Sequence, residues 1–178
     1  MRPPRYDAGS IALHWLHAAL ILTLLGLGLT MTDLPKGAER SAAISLHKSL
    51  GILALLLFGL RLAWRLTHRP PTDPRLTPWQ HGMARMGHRL LYLLLLLTPL
   101  SGYLSSSFTP YPMRVFGLSI PKAGYPDETL NALFGTAHSV LTWTLMAVLV
   151  THVAAVILHQ RQGIPVLTRM LPGRGPDC

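Results

Sequence analysis

The chain has 178 residues, 49% hydrophobic and only 13% charged, with a formal net charge of +9. So apolar a composition excludes an ordinary water-soluble domain and fits one compact membrane domain over residues 1–178. The positive charge does not point to nucleic acid, because the basic residues gather in particular loops and are not interleaved with aromatic platforms.

Four apolar runs follow in order, at about residues 10–31, 45–66, 85–107 and 133–159. Each is long enough to cross the ~30 Å hydrocarbon core as a helix. The first resembles a secretory signal in position, but it lacks a small-residue cleavage site and His14 and Trp15 interrupt its start, so it reads as the first helix. Residues 32–40, with Pro35 and Gly37, read as a short turn, and the proline-rich residues 68–78 as an extended link. Residues 109–131, broken by Pro110, Pro112, Pro121 and Pro126, form the longest connection, either a lid or a short surface helix. The expectation is an all-α integral membrane four-helix bundle.

Orientation follows from the basic residues. Arg2, Arg5, Arg61, Arg65, Arg69, Arg75, Arg85, Arg89, Arg161, Arg169 and Arg174 fall on the side of both termini; Lys36, Arg40, Lys48, Arg114 and Lys122 fall on the other, eleven plus five of the 16 Lys and Arg. The positive-inside rule then places both termini in the cytoplasm. Cys178 is the only cysteine, which excludes an internal disulfide and a thiolate-held cluster.

Imidazole in hydrocarbon is costly unless ligated or hydrogen-bonded, so the histidines inside the apolar runs carry the functional reading. With both termini on one side, His14 lies about one turn from the cytoplasmic face and His47 just inside the outer face. The fourth run starts outside, so His138 shares the depth of His47 and His152 that of His14. His138 and His152 are fourteen residues apart, about 21 Å along one helix and on nearly the same face. His159 would fall about 31 Å from His138, at the headgroups, and is set aside for His152. His17, one turn from His14, and His88, near the start of the third run, stay open as alternative ligands; His88 also reads as a propionate contact, a proton carrier or an interfacial side chain. His68 and His81 lie in or beside the link and read as solvated.

Two pairs of histidines at two depths suit two haem b groups, since imidazole is a common axial ligand and a large apolar macrocycle fits between bundle helices. Zinc fits poorly: these helices hold no CxxC, HExxH or matching acidic residue. An iron with both axial positions filled favours electron transfer over oxygen binding.

The segments ALHWLHA around His14, LHKSLGIL around His47, RLAWR, GHRLLYLLLLLTPLSGY, VFGLSIP, and TAHSV and THVAA around His138 and His152 together resemble the bacterial cytochrome b561 family over nearly the whole chain. The resemblance implies a four-helix diheme cytochrome of the bacterial inner membrane, with His14, His47, His138 and His152 as haem ligands and exchange of electrons with membrane quinone. One branch looks like a superoxide oxidase that reduces ubiquinone. Lys48, Arg114 and Lys122 at the outer mouth are then candidates for attracting superoxide or holding haem propionates. A non-enzymatic electron conduit for a redox partner protein is the alternative, with a homodimer open, and a proton relay without haem is a third reading.

Overall fold

The computed structural model describes residues 5–68, 71 and 75–171; Arg2, Arg69, Arg174 and Cys178 lie outside these. Four helices dominate: α1 Ala8–Thr30, α2 Ala38–Thr67, α3 Pro78–Ser107 and α4 Glu128–Arg161. All four are long and apolar enough to cross a membrane. The architecture is the expected all-α four-helix membrane bundle.

The helices start earlier than the apolar runs: α2 at Ala38 rather than 45, α3 at Pro78 rather than 85 and α4 at Glu128 rather than 133. Hydropathy marks the part suited to hydrocarbon, whereas capping chemistry decides where a helix begins. At α3, Thr77 Oγ1 accepts from the Gln80 backbone N–H at 3.3 Å while Gln80 Oε1 accepts from the Thr77 N–H at 2.8 Å, a reciprocal box followed by proline at the first helical position. Asp127 caps α4 by accepting from the Leu130 N–H at 2.9 Å, and Asp7 caps α1 by accepting from the Ser10 N–H at 2.9 Å.

The long connection between α3 and α4 is neither a bare loop nor a helix. Its centre is a two-stranded antiparallel hairpin, β1 Arg114–Val115 and β2 Leu118–Ser119, turning through Phe116 and Gly117. Both turn residues have positive φ, 48° and 86°, as a tight hairpin turn of the right twist demands. The Phe116 N–H donates to Ser49 Oγ at 3.0 Å, fixing the hairpin to α2 two residues after His47. At the other end of the bundle a 3-10 turn, Leu167–Arg169, crosses under α1: the Trp15 indole N–H donates to the Met170 carbonyl at 2.6 Å and the Tyr6 N–H to the Arg169 carbonyl at 3.3 Å.

Packing runs α1 on α2, α2 on α3 and α3 on α4, whereas α1 and α4 barely meet. The bundle is thus closed on three sides, with a seam between the first and last helices. The core cluster gathers in its middle, around Ile21, Ala54, Leu95 and Leu145.

Candidate functional site

One spacing organises the interior. Each helix carries two special positions fourteen residues apart: His14 and Gly28 on α1, His47 and Arg61 on α2, His88 and Gly102 on α3, His138 and His152 on α4. Midway, at seven residues, stand Ile21, Ala54, Leu95 and Leu145, four members of the same buried cluster, with Ala54 0% and Leu145 2% exposed. A straight helix drifts only ~20° per seven residues, and the left-handed crossing of a four-helix bundle absorbs that drift. Alternating helix directions therefore make three layers about 10 Å apart, called outer and inner after the orientation expected from the arginines: an outer layer of two histidines and two glycines, an apolar middle, and an inner layer of three histidines and an arginine.

In the outer layer His47 and His138 face each other with ring centroids 6.2 Å apart and planes at 86°. His138 Nδ1 lies 2.8 Å from the Thr98 carbonyl oxygen, which can only accept, so Nδ1 carries the proton and the Nε2 lone pair is free. Ser101 Oγ donates to the same carbonyl at 2.8 Å. Behind the two rings stand glycines: a methyl group at Gly28 would meet His47 Cε1 at 3.1 Å, and one at Gly102 would meet both Cε1 and Nδ1 of His138 at 3.1 Å. His47 Nδ1 is buried with no hydrogen-bond partner.

The inner layer is arranged differently. Arg61 donates to His14 Nδ1 at 2.9 Å, and the ring against His152 is that of His88, 5.8 Å away between centroids. His17 is 1% exposed and neither of its ring nitrogens has a hydrogen-bond partner. His159 Nδ1 is likewise buried and unpartnered. His68 is exposed, as expected, and also stacks on Trp64 with planes only 2° apart.

Of the outer basic residues, Lys48 and Lys122 are half-buried and within electrostatic reach of each other, whereas Arg114 is exposed on β1. Lys122 Nζ also donates to the carbonyls of Thr109 and Tyr111.

Sequence reasoning found the histidines but missed Gly28, Gly102, Arg61, Thr98 and Ser101. The signal for three of these was present. Applying the fourteen-residue spacing of His138 and His152 to the other helices leads from His14 to Gly28, from His47 to Arg61 and from His88 to Gly102.

A porphyrin iron ligated on both sides by imidazole sets the two ring centroids about 6 Å apart, counting about 2 Å for each metal–nitrogen bond and about 1 Å from each nitrogen to its ring centre. The His47–His138 separation matches. So do the free Nε2 of His138 and the glycines that leave the rings room. Haem b fits these residues.

A family model described as prokaryotic cytochrome b561 matches residues 5–173. The cytochrome b561 homolog 2 of Escherichia coli (strain K12) is 36% identical over 160 residues, covering 88% of this chain and 85% of that protein. The probable superoxide oxidase CybB of Yersinia pestis is 28% identical over 159 residues, with coverage of 87% and 88%. The cytochrome b561 homolog 1 of Escherichia coli (strain K12) is 27% identical over 184 residues, covering 96% of this chain and 98% of that protein.

Proposed function

The chain belongs to the prokaryotic cytochrome b561 family, which makes it a bacterial membrane electron-transfer protein with haem b as its cofactor, and from that premise we propose that it binds two haems and oxidises superoxide at the expense of ubiquinone. The observation that carries this reading is the three-layer register, in which titratable rings recur at two depths separated by one apolar layer. His47 and His138 are the proposed ligands of the outer haem, and His14 and His152 those of the inner one, with His17 and His88 the alternatives at the inner depth; because His14 Nδ1 accepts from Arg61, its proton sits on Nε2, and ligation by His14 requires Arg61 to release that nitrogen.

Haem b held by these histidines would supply a reversible one-electron couple. The remaining roles belong to the chain. The Thr98 carbonyl holds the proton on His138 Nδ1 and so aims Nε2 inward. Gly28 and Gly102 give the outer rings space, and the Ala54 and Leu145 layer keeps water out of the middle. Lys48, beside His47, and Lys122 offer positive charge to an approaching anion, with Arg114 further out on the hairpin. Each superoxide loses one electron and leaves as dioxygen; two electrons and two protons convert one quinone to quinol, so two superoxides are consumed per quinol. Both termini belong in the cytoplasm on the arginine distribution, the outer layer faces the periplasm, and the membrane is the inner one.

The test is quinol formation by the purified protein in ubiquinone-containing vesicles supplied with a steady superoxide source. The rate should fall with added salt and fall again in Lys48→Glu. A quinol yield equal to that of vesicles without protein would remove the oxidase reading and leave the conduit for a redox partner.

A further inference from the structure

At the end of the bundle that holds the termini, α2 presents Arg61 and, one turn on, Arg65 to the same aromatic ring: both guanidinium carbons lie 5.6 Å from the Tyr92 centroid. Together with Tyr6 and Ser10 they line a cavity of about 30 Å³. That leaves room for at least one water-sized group, and so for an oxygen of a carboxylate or phosphate. Two guanidiniums side by side repel each other, and a partly buried one is costly without a counter-charge. The groups that bear electrostatically on Arg61 are Tyr92, Arg65 and Tyr6, with no carboxylate among them. Among the described residues, Asp7 at this end is already engaged, accepting from Ser10 Oγ at 2.6 Å, the Ser10 N–H at 2.9 Å and the Trp64 indole at 3.0 Å. Arg61 has the further contact to His14 Nδ1, and arginine can only donate, so its remaining N–H groups are available to an acceptor in the cavity.

We propose that Arg61 and Arg65, converging on Tyr92, form an oxyanion site that takes a carboxylate or phosphate carried by an apolar molecule. Two sources present such a group at this depth. One is the carboxylate edge of the inner-layer porphyrin, which rests on the two-haem reading above; the other is the phosphate of an anionic phospholipid, which does not. Bidentate recognition of planar oxyanions is what the guanidinium fork does best, and the Tyr92 face holds both forks in place by cation–π attraction.

The test uses the full-length protein in nanodiscs. In one arm, haem is compared with its dimethyl ester, and loss from the inner layer to apomyoglobin is followed by absorbance. In the other, the phosphatidylglycerol retained through purification is measured by mass spectrometry. If the porphyrin supplies the oxyanion, the ester leaves the wild-type inner layer at least tenfold faster than haem, and Arg61→Met with Arg65→Met brings the two rates together. If lipid supplies it, the double variant retains at least tenfold less phosphatidylglycerol while ester and haem behave alike. Arg65→Met alone, which preserves the Arg61–His14 bond, should move the same readout in the same direction. Equal ester and haem rates together with equal lipid retention in wild type and variants would overturn the site. A wild-type chain that carries one haem would instead defeat the two-haem reading, with the lipid arm still deciding the oxyanion site.

Discussion

His47 and His138 approach each other from opposite sides of the bundle, on α2 and α4, and meet ring to ring at 6.2 Å with a glycine against the back of each. His47 is set by the helix that also carries the hairpin anchor, and His138 by a carbonyl of α3. Three neighbouring helices thus determine where two imidazoles lie, and the fourth, α1, contributes an absence of side chain at Gly28.

That arrangement makes Gly102 a size gauge for the outer layer. A methyl group there sits 3.1 Å from two atoms of His138, tight enough that the ring must shift by a few tenths of an ångström, and a larger side chain cannot be accommodated without moving it further. Gly102→Ala should alter the outer haem spectrum with its occupancy largely kept, and Gly102→Leu should reduce that occupancy by more than half while the inner haem stays. Haem content and visible spectra of the purified variants decide this; full outer occupancy in Gly102→Leu would contradict the packing.

Ser101 tunes the same histidine from one step away. Its hydroxyl donates to the Thr98 carbonyl that also receives His138 Nδ1–H. Removing that donor leaves the carbonyl a stronger acceptor for the imidazole, which as the proposed haem ligand would become more basic and favour oxidised iron. Ser101→Ala should lower the outer midpoint potential by roughly 30 mV, about half of the 59 mV that a tenfold change is worth for one electron. An unchanged or raised potential in a redox titration would contradict this hydrogen-bond chain.

Asp7 joins the start of α1 to the end of α2. Desolvation is the largest single influence and pushes its carboxyl up, but the hydrogen bonds from Ser10 and Trp64 together outweigh it and bring the pKa down to about 2 from 3.8. A folded-state value below the unfolded one means stabilisation that is present in full above pH 3.8 and lost as the pH falls towards 2. Asp7→Ala should cost about 1 kcal/mol at neutral pH, the usual worth of a capping side chain. The difference in melting temperature between wild type and variant should shrink on acidification through that window; a difference independent of pH would argue against the cap.

Ser49 holds the outer hairpin. It is 2% exposed and its hydroxyl accepts from Phe116 while donating to the Ser45 carbonyl at 2.9 Å. Ser49→Ala leaves the Phe116 N–H without that acceptor at a cost of about 1 kcal/mol. Limited proteolysis should then cut near Phe116 and Gly117 several-fold faster, with the four helices intact. Equal cleavage rates would mean that the hairpin is held by other contacts.

Much of this was legible in the sequence, for a reason particular to membranes. Long apolar runs announce the spans, and a histidine inside one is rare enough to be noticed, so the depths of His14, His47, His138 and His152 could be read before any coordinates. The beginnings of α2, α3 and α4 were not, because turns outside the hydrocarbon are too polar for hydropathy to detect. Gly28 and Gly102 were missed because a glycine in an apolar helix has many explanations, and its meaning appears only when a ring from another helix lies against it. Arg61 was read as one of many positive-inside charges, although it occupies the inner-layer position that corresponds to His47. The hairpin at residues 114–119 was hidden by its brevity: two-residue strands leave no alternation to read.

The central claim is that the chain holds one haem in each histidine layer. Haem per polypeptide, measured together with the spectra of single His→Ala variants, tests it most directly. The account predicts two haems b per wild-type chain, with His47→Ala and His138→Ala each emptying the outer layer and His14→Ala and His152→Ala each emptying the inner one. Two haems retained with unchanged spectra in His14→Ala would pass the inner ligand to His17 or His88, and a single haem per wild-type chain, lost equally in all four variants, would contradict the two-layer account.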